Sequence, residues 1–334
     1  VIGSLKDADI HPRSVLQFLF KISRHHQWLL PFLPHAIEGI DCGNSDIVLS
    51  SSHAVGKGII PPSSAVHICY CHTPMRYAWE MERQYLDDFH LVGPLRRWVR
   101  ALLLRLRRWD LTTAKRVDVF IANSQETAKR IQRIYDRASI ILPPPVEDMF
   151  FDVPLVPIHE RKYFLAVGRL VPYKKFDLLI RLANAQNIPL KIVGSGQAES
   201  FLRSIAGPTV EFLGHISTEA LPGIYAHAHA LLFPQLEDAG VVPREAQAAG
   251  TPVIAFEKGG ALDAILPGVT GVFMKEQSVN ALKNSIEILI NTTWNPSEIR
   301  QHALTFSLAH FESKFQKIVE DTYAQYHRNV STIC

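Results

Sequence analysis

Ala230-Leu231-Leu232-Phe233-Pro234-Gln235-Leu236-Glu237-Asp238-Ala239-Gly240-Val241-Val242-Pro243-Arg244-Glu245-Ala246-Gln247-Ala248-Ala249-Gly250 reads as a strand, a turn and a helix in immediate succession. Ala230 to Phe233 is a short apolar run of the kind buried in a sheet, and Pro234 and Gly240 bracket a loop. Pro243 suits the first turn of a helix running to Ala249, and Gly250 suits its C-terminal stop. The segment sets Glu237 on the loop and Glu245 on the helix, eight positions apart. Backbone N–H groups at a helix start attract anions, and carboxylates accept hydrogen bonds from hydroxyls. An anion beside a polyol at a strand-to-helix turn describes a sugar nucleotide. The same residues also read as two solvated surface glutamates.

Outward from this segment the pattern repeats. Tyr163 to Gly168 and stretches near 190–194, 209–213, 229–233, 252–256 and 271–274 are short apolar runs separated by helical ones. An earlier set comprises Asp46 to Ser52, Ala65 to Cys71, Val117 to Ser124 and Ser139 to Leu142, with Ser124 placed to cap a following helix. Apolar strands alternating with helices predict an α/β fold with parallel sheets covered on both faces. Pro143-Pro144-Pro145 is a stiff punctuator between the sets. The expected domains are therefore 1–150, N-terminally incomplete, and 151–310, with a helix over 311–334 that packs back across them. Residues 14–40 read as helical and apolar, broken by Pro31 and Pro34.

Bulk numbers narrow the class. The 334 residues are 47% hydrophobic and 20% charged, with a net charge of +3 that does not argue for nucleic acid. Residues 1–150 carry 19 Lys and Arg against 15 Asp and Glu, leaving 16 against 17 in the rest. The four cysteines, Cys42, Cys69, Cys71 and Cys334, have no zinc spacing and fit a reducing cytoplasm. No run of about 18 apolar residues appears, and no signal peptide, so nothing spans a membrane on this reading. The chain begins at Val1, and its opening residues read as neither strand nor leader, which suggests a fragment or truncation.

Other residues carry candidate chemistry. Arg169 and Lys174 sit where a strand ends and a helix begins, the edge at which open α/β sheets bind ligands, so they suit a diphosphate; a solvated basic turn is the alternative. Gly194 and Gly196 follow a strand and let backbone approach a nucleobase or ribose, or make an ordinary tight turn. Lys258-Gly259-Gly260-Ala261 is a similar loop. His72 ends a strand before Thr73-Pro74, placed to hydrogen-bond a sugar oxygen. Residues 96–109, with six arginines and two tryptophans, form a basic amphipathic helix suited to peripheral contact with an anionic membrane; a core-packing helix with a solvated arginine face is the alternative. Asp7-Ala8-Asp9 has the spacing of a metal-binding pair, but no apolar strand precedes it, so it reads as a surface turn.

Taken together these residues resemble the retaining glycosyltransferases of family GT4, within them the WbaZ-like group of mannosyltransferases. The likeness rests on Ser50 to Gly58, Cys69 to Trp79, Ala122-Asn123-Ser124, Gly168 to Lys174, Phe212-Leu213-Gly214 and residues 233–254. It implies a GT-B fold, two Rossmann-like domains with parallel sheets facing across a cleft. The expected location is cytoplasmic, with peripheral contact at the inner face of the cell membrane on the membrane reading of residues 96–109. The resemblance implies an enzyme that would move a hexose, mannose from GDP-mannose, to a lipid-linked or polysaccharide acceptor in lipopolysaccharide or related glycan biosynthesis. No metal and no cofactor beyond the nucleotide-sugar donor is expected, because cations beside the leaving diphosphate compensate its charge. By resemblance, Glu237 holds hexose hydroxyls, Glu245 holds the ribose, and Arg169 and Lys174 meet the diphosphate. Amides near Gly240 and Val241 orient sugar and phosphate, and His72 contacts the donor sugar near its anomeric carbon.

Two departures qualify the likeness: Ala239 stands where family members usually carry Phe, and the family's N-terminal strand and glycine-rich loop are missing before Val1. They motivate a second reading, a non-catalytic or truncated nucleotide-sugar-binding protein. A dinucleotide-dependent oxidoreductase is disfavoured, since no Gly-x-Gly-x-x-Gly follows the first strand.

Overall fold

The structure, a computed structural model, describes residues 32–80, 82, 86 and 92–333. The expectations for residues 14–31, for Asp7-Ala8-Asp9 and for the start of the chain lie outside the described residues. Pro34 occupies the first turn of helix Leu33–Glu38, where a missing N–H costs nothing. By internal contacts the chain forms two compact units. One is built from residues up to Ala122 with Arg130–Ile140 and the chain end from Asp321; the other comprises Asn123–Lys129 and Ile141–Glu320. The last helix, Leu308–Ile333, contributes to both units.

The first unit holds a four-stranded sheet in the order β1 (Ile47–Ser52), β2 (Val66–Cys71), β3 (Val119–Ala122), β4 (Ser139–Ile141). β1 pairs parallel with β2, and β2 with β3. Every β2 residue except Tyr70 is buried, as expected of a strand covered on both faces. The long helix Gly93–Ala114 buries Leu103, Leu106, Asp110, Thr113 and Ala114. Asp110 is paired with Lys57 from the turn Gly56–Gly58, and both side chains are at most 1% exposed. Its second oxygen accepts from Trp79 Nε1 at 2.7 Å and from the Tyr135 hydroxyl at 2.9 Å. With its lone pairs met, a buried carboxylate is tolerated; removing Lys57 would leave it uncompensated, a loss of about 3–5 kcal/mol.

The second unit holds a six-stranded sheet in the order β10-β9-β8-β5-β6-β7, every neighbouring pair parallel. Its strands are β5 (Tyr163–Val167), β6 (Leu190–Val193), β7 (Val210–Gly214), β8 (Ala228–Phe233), β9 (Val253–Phe256) and β10 (Gly271–Met274). One face packs Ile192, Leu232 and Ile254 against helices Phe176–Gln186 and Val279–Ile290. The other packs Leu165, Leu231 and Val253 against helices Leu221–Ala226 and Val241–Ala248. Each such side chain, fully buried, contributes roughly 1.5–3 kcal/mol. Strand order reverses between β5 and β8, so the loops leaving their carboxyl ends diverge over opposite faces and open a crevice there.

The entrance to β5 is fixed by Arg161, only 3% exposed. Its guanidinium donates to the carbonyls of Val156, Ala228 and Gly250 and to Thr251 Oγ1, at 2.8 to 3.3 Å. Burial pushes its pKa down to about 10, so it remains charged at neutral pH. Among the described residues no helix is long and apolar enough to cross a membrane.

Candidate functional site

The crevice residues of the second unit come from three strand ends. β5 stops at Val167, and Gly168, Arg169 and the short 3-10 turn Pro172–Lys174 carry the chain to helix Phe176–Gln186. Lys175 sits between turn and helix in the left-handed region at φ 60°, which reverses the chain sharply. Lys174 thereby folds back over the end of its own strand: a Cβ on Gly168 would lie 3.0 Å from its Nζ. Its Nζ reaches Glu237 Oε1 at 2.9 Å, with the side chains 13% and 27% exposed. These residues, remote in sequence, meet because β5 and β8 are neighbours. Arg169 is exposed, with no side-chain partner among the described residues.

The loops after β5 and β6 are laced together through backbone. Leu170 N donates to Ser195 O and Ala198 N to Leu170 O, both at 2.9 Å. Gly194, at φ +128°, lies directly under the Gly168 carbonyl, and Gly196 lies against the Leu170 backbone. A side chain at either would force the loops apart. Both glycines thus have a structural duty, whatever ligand the loop also approaches.

The loop after β8 carries Glu237, Asp238 and Ala239, the last half-buried, into Gly240 at φ +64°. Gly240 is the N-cap of helix Val241–Ala248 and offers no side chain, so the first-turn N–H groups keep the anion-attracting end of the helix dipole uncapped. The loop rests on Gly259-Gly260: Gly260 N donates to Glu237 O at 2.8 Å, and Cβ atoms on Gly240 or Gly260 would each lie 2.5–2.6 Å from the other loop's carbonyls.

One turn into the helix stands Glu245. Its Oε2 accepts the Tyr225 hydroxyl at 2.9 Å. Burial, helped by the Glu147 charge, raises its pKa above the ordinary carboxylate value despite that hydrogen bond. Lys174, Glu237, Gly240, Val241 and Glu245 are thus assembled on the loops and helix at one sheet edge. Among the described residues no three His, Cys, Asp or Glu side chains converge as a metal-binding group would require.

His72 belongs to the first unit, immediately after β2, where its N–H donates to Ser52 O at 2.8 Å. Its Nε2 lies 2.9 Å from Ser51 Oγ, and the ring stands edge-on to Tyr70 at 5.2 Å. Burial, with the neighbouring His53, lowers its pKa, so the neutral imidazole persists to lower pH than an ordinary histidine's. Sequence reasoning named neither Ser51 nor Tyr225 as a contributor. The only signal for Tyr225 is one tyrosine in the small-residue stretch Leu221-Pro222-Gly223-Ile224-Tyr225-Ala226.

Comparison with known proteins follows the division into units. The family model described as Glycosyl transferases group 1 matches residues 151–304, and that described as Glycosyltransferase Family 4 matches 3–148. A GDP-mannose-dependent monoacylated alpha-(1-6)-phosphatidylinositol monomannoside mannosyltransferase of Corynebacterium glutamicum is 35% identical over 165 residues, 44% of this chain and 42% of that protein. An uncharacterized glycosyltransferase of Methanocaldococcus jannaschii is 29% identical over 142 residues, 40% of this chain and 36% of its own length. The chain thus spans about two fifths of these curated relatives. Among solved structures, sucrose-phosphate synthase from Thermosynechococcus elongatus superposes with a TM-score of 0.69 at 17% identity, covering 90% of this chain and 80% of that one. Anabaena HepE in complex with UDP gives 0.61 at 18% identity, covering 77% and 72%. With two parallel-sheet units, family matches over nearly its whole length and these structural neighbours, the chain belongs to the family 4, group 1 glycosyltransferases and has the GT-B fold.

Proposed function

We propose that the protein is a retaining, metal-independent glycosyltransferase. It would move mannose from GDP-mannose to a lipid-linked or polysaccharide acceptor in cell-surface glycan assembly, as a WbaZ-like member of the family. The observation that carries the transferase reading is the Lys174–Glu237 pair beside the uncapped helix Val241–Ala248. A cation for the leaving diphosphate stands 2.9 Å from a carboxylate able to hold hexose hydroxyls, and the helix end adds N–H donors for phosphate oxygens. Arg169 supplies a second cation, so charge compensation needs no resident metal. Glu245 takes the ribose and His72 the donor sugar. Same-face attack by the acceptor, with the leaving phosphate taking its proton, asks for no carboxylate nucleophile. The choice of mannose and guanine is supported by the name of the Corynebacterium relative.

The test is a thermal-shift panel of nucleoside diphosphates and nucleotide sugars, GDP-mannose included. The diphosphate is expected to raise the melting temperature, and Glu245→Ala to abolish the shift. No response to any nucleotide refutes the reading, and saturable binding without transfer to any acceptor favours the non-catalytic alternative.

We also propose that helix Gly93–Ala114 rests on anionic lipid at the cytoplasmic face of a membrane. Its core-facing side is buried, but the opposite side exposes Trp98, Leu104 and Leu111 together with Arg97, Arg105 and Arg108. Arg107 is not part of that face, being paired with Glu82 and stacked on Trp79 at 5.5 Å. Each arginine near such a surface is worth about 1 kcal/mol. Vesicles rich in anionic lipid should sediment the protein at low salt and release it when Arg97, Arg105 and Arg108 are changed to glutamine. Equal sedimentation with zwitterionic vesicles would refute the contact.

A further inference from the structure

Tyr225 is fully buried, and a phenol removed from water needs a hydrogen-bond acceptor. That acceptor is Glu245 Oε2, at 2.9 Å. The tyrosine is itself held on several sides. Its carbonyl accepts Thr251 Oγ1 at 2.7 Å, and Thr251 is in turn touched by Arg161 at 3.3 Å. The preceding carbonyl, of Ile224, accepts the Tyr163 hydroxyl at 2.8 Å, and the Tyr225 ring packs 6.0 Å from Phe150. Arg161, Thr251, Tyr225 and Glu245 thus form a continuous chain of polar contacts, from the entrance of β5 to the first turns of helix Val241–Ala248.

Three of these four residues are at most 3% exposed, and only Glu245 reaches partial solvent access. The chain therefore has one end open to a ligand. Tyr225 engages one carboxylate oxygen and leaves the other to a pair of neighbouring hydroxyls. A glutamate without such a partner samples several rotamers, and holding one of them costs entropy on every binding event.

We propose that Tyr225 is a positioning residue for Glu245, fixing its carboxylate so that the site selects nucleotides with intact vicinal ribose hydroxyls. This rests on the transferase reading above and adds to it the residue that sets ribose selectivity. The tyrosine touches no ligand; it acts through the glutamate. A role confined to stability would lower the melting temperature without altering the choice between ribose and a ribose lacking its hydroxyls.

The experiment compares calorimetric affinity for GDP and UDP with that for their 2′,3′-dideoxy analogues, in the full chain and in Tyr225→Phe, which keeps the ring and removes the hydroxyl. The wild type is expected to prefer the ribonucleotide. Tyr225→Phe should lose about tenfold of that preference, in line with one hydrogen bond to a charged group, while its affinity for the dideoxy form stays unchanged. Equal weakening for both sugars, or no change for either, overturns the proposal. If Tyr225→Phe does not fold, Thr251→Val takes its place. It loosens the tyrosine from behind and should reduce the same preference by a smaller factor; an unchanged preference is again refuting. A wild type that binds no diphosphate overturns the transferase reading and this inference with it. A wild type that binds and discriminates, beside a variant that discriminates equally, overturns only this inference.

Discussion

Gly240→Ala tests whether the carboxylate loop is held by backbone-to-backbone contact. Gly240 sits at φ +64°, a region that costs a residue with a Cβ about 1–2 kcal/mol. The added Cβ would lie 2.6 Å from Gly260 O, 2.9 Å from Gly260 C and 3.4 Å from Ala261 N. A comfortable carbon-to-oxygen contact is about 3.3–3.6 Å, so the loops must separate by most of an ångström, and overpacking of this kind costs about 1–3 kcal/mol. The expected loss is thus about 2–5 kcal/mol, which corresponds to a melting temperature lower by about 5–15 °C for a unit of this size. Gly223→Ala is the internal control. It lies in helix Leu221–Ala226 with nothing within 4 Å of its Cβ position, so alanine should be neutral or gain up to about 1 kcal/mol. Differential scanning calorimetry of the two variants beside the wild type reads the difference. A Gly240→Ala protein that melts with or above Gly223→Ala would refute the reasoning.

Arg161→Met should destabilise the second unit by about 3–5 kcal/mol, because carbonyls now served by one guanidinium would be buried without a donor; urea unfolding with an unchanged midpoint would contradict this. Lys174→Met should lower kcat by about 10²–10³ if the cation paired with Glu237 meets the leaving diphosphate as proposed, and donor turnover at the wild-type rate would exclude that role. For Glu245 the sign is unusual for a carboxylate. Its folded pKa is raised, so the folded chain holds the proton more tightly than the unfolded one, and stability falls as pH rises from the ordinary value of 4.5 through the raised value. Glu245→Gln should therefore melt above the wild type at neutral pH, with the gap closing below 4.5; a gap independent of pH would show that burial does not act on this group.

Most strand positions were legible because each strand is a short apolar run ended by Gly, Pro or a small polar residue. Val253–Phe256 and Ala228–Phe233 are buried along nearly their whole length, so composition alone marks them. The start of helix Val241–Ala248 follows from Gly240 and Pro243, and Ser124 caps its helix through the Thr127 N–H at 3.1 Å. What sequence does not carry is strand order. Lys174 meets Glu237 only because β8 lies beside β5, and nothing local to either residue encodes that adjacency. Tyr225 escaped for the same reason: its acceptor is twenty residues away on another helix. Gly259 and Gly260 read as a generic loop, whereas their duty is to leave room for the backbone of residues 237–240.

The interlocked glycines also bear on transplanting specificity between related transferases. Residues 237–240 and 259–260 meet carbonyl to α-carbon, so neither stretch can take a foreign backbone path while its counterpart keeps its own. A graft of the acidic loop alone would collide with the recipient's second loop, so a workable chimera exchanges both stretches as one cassette. Within that cassette Ala239 is half-buried, between the carboxylates of residues 237 and 238 and Gly240. Saturation at 239 would test whether that position sets donor preference before any loop is exchanged.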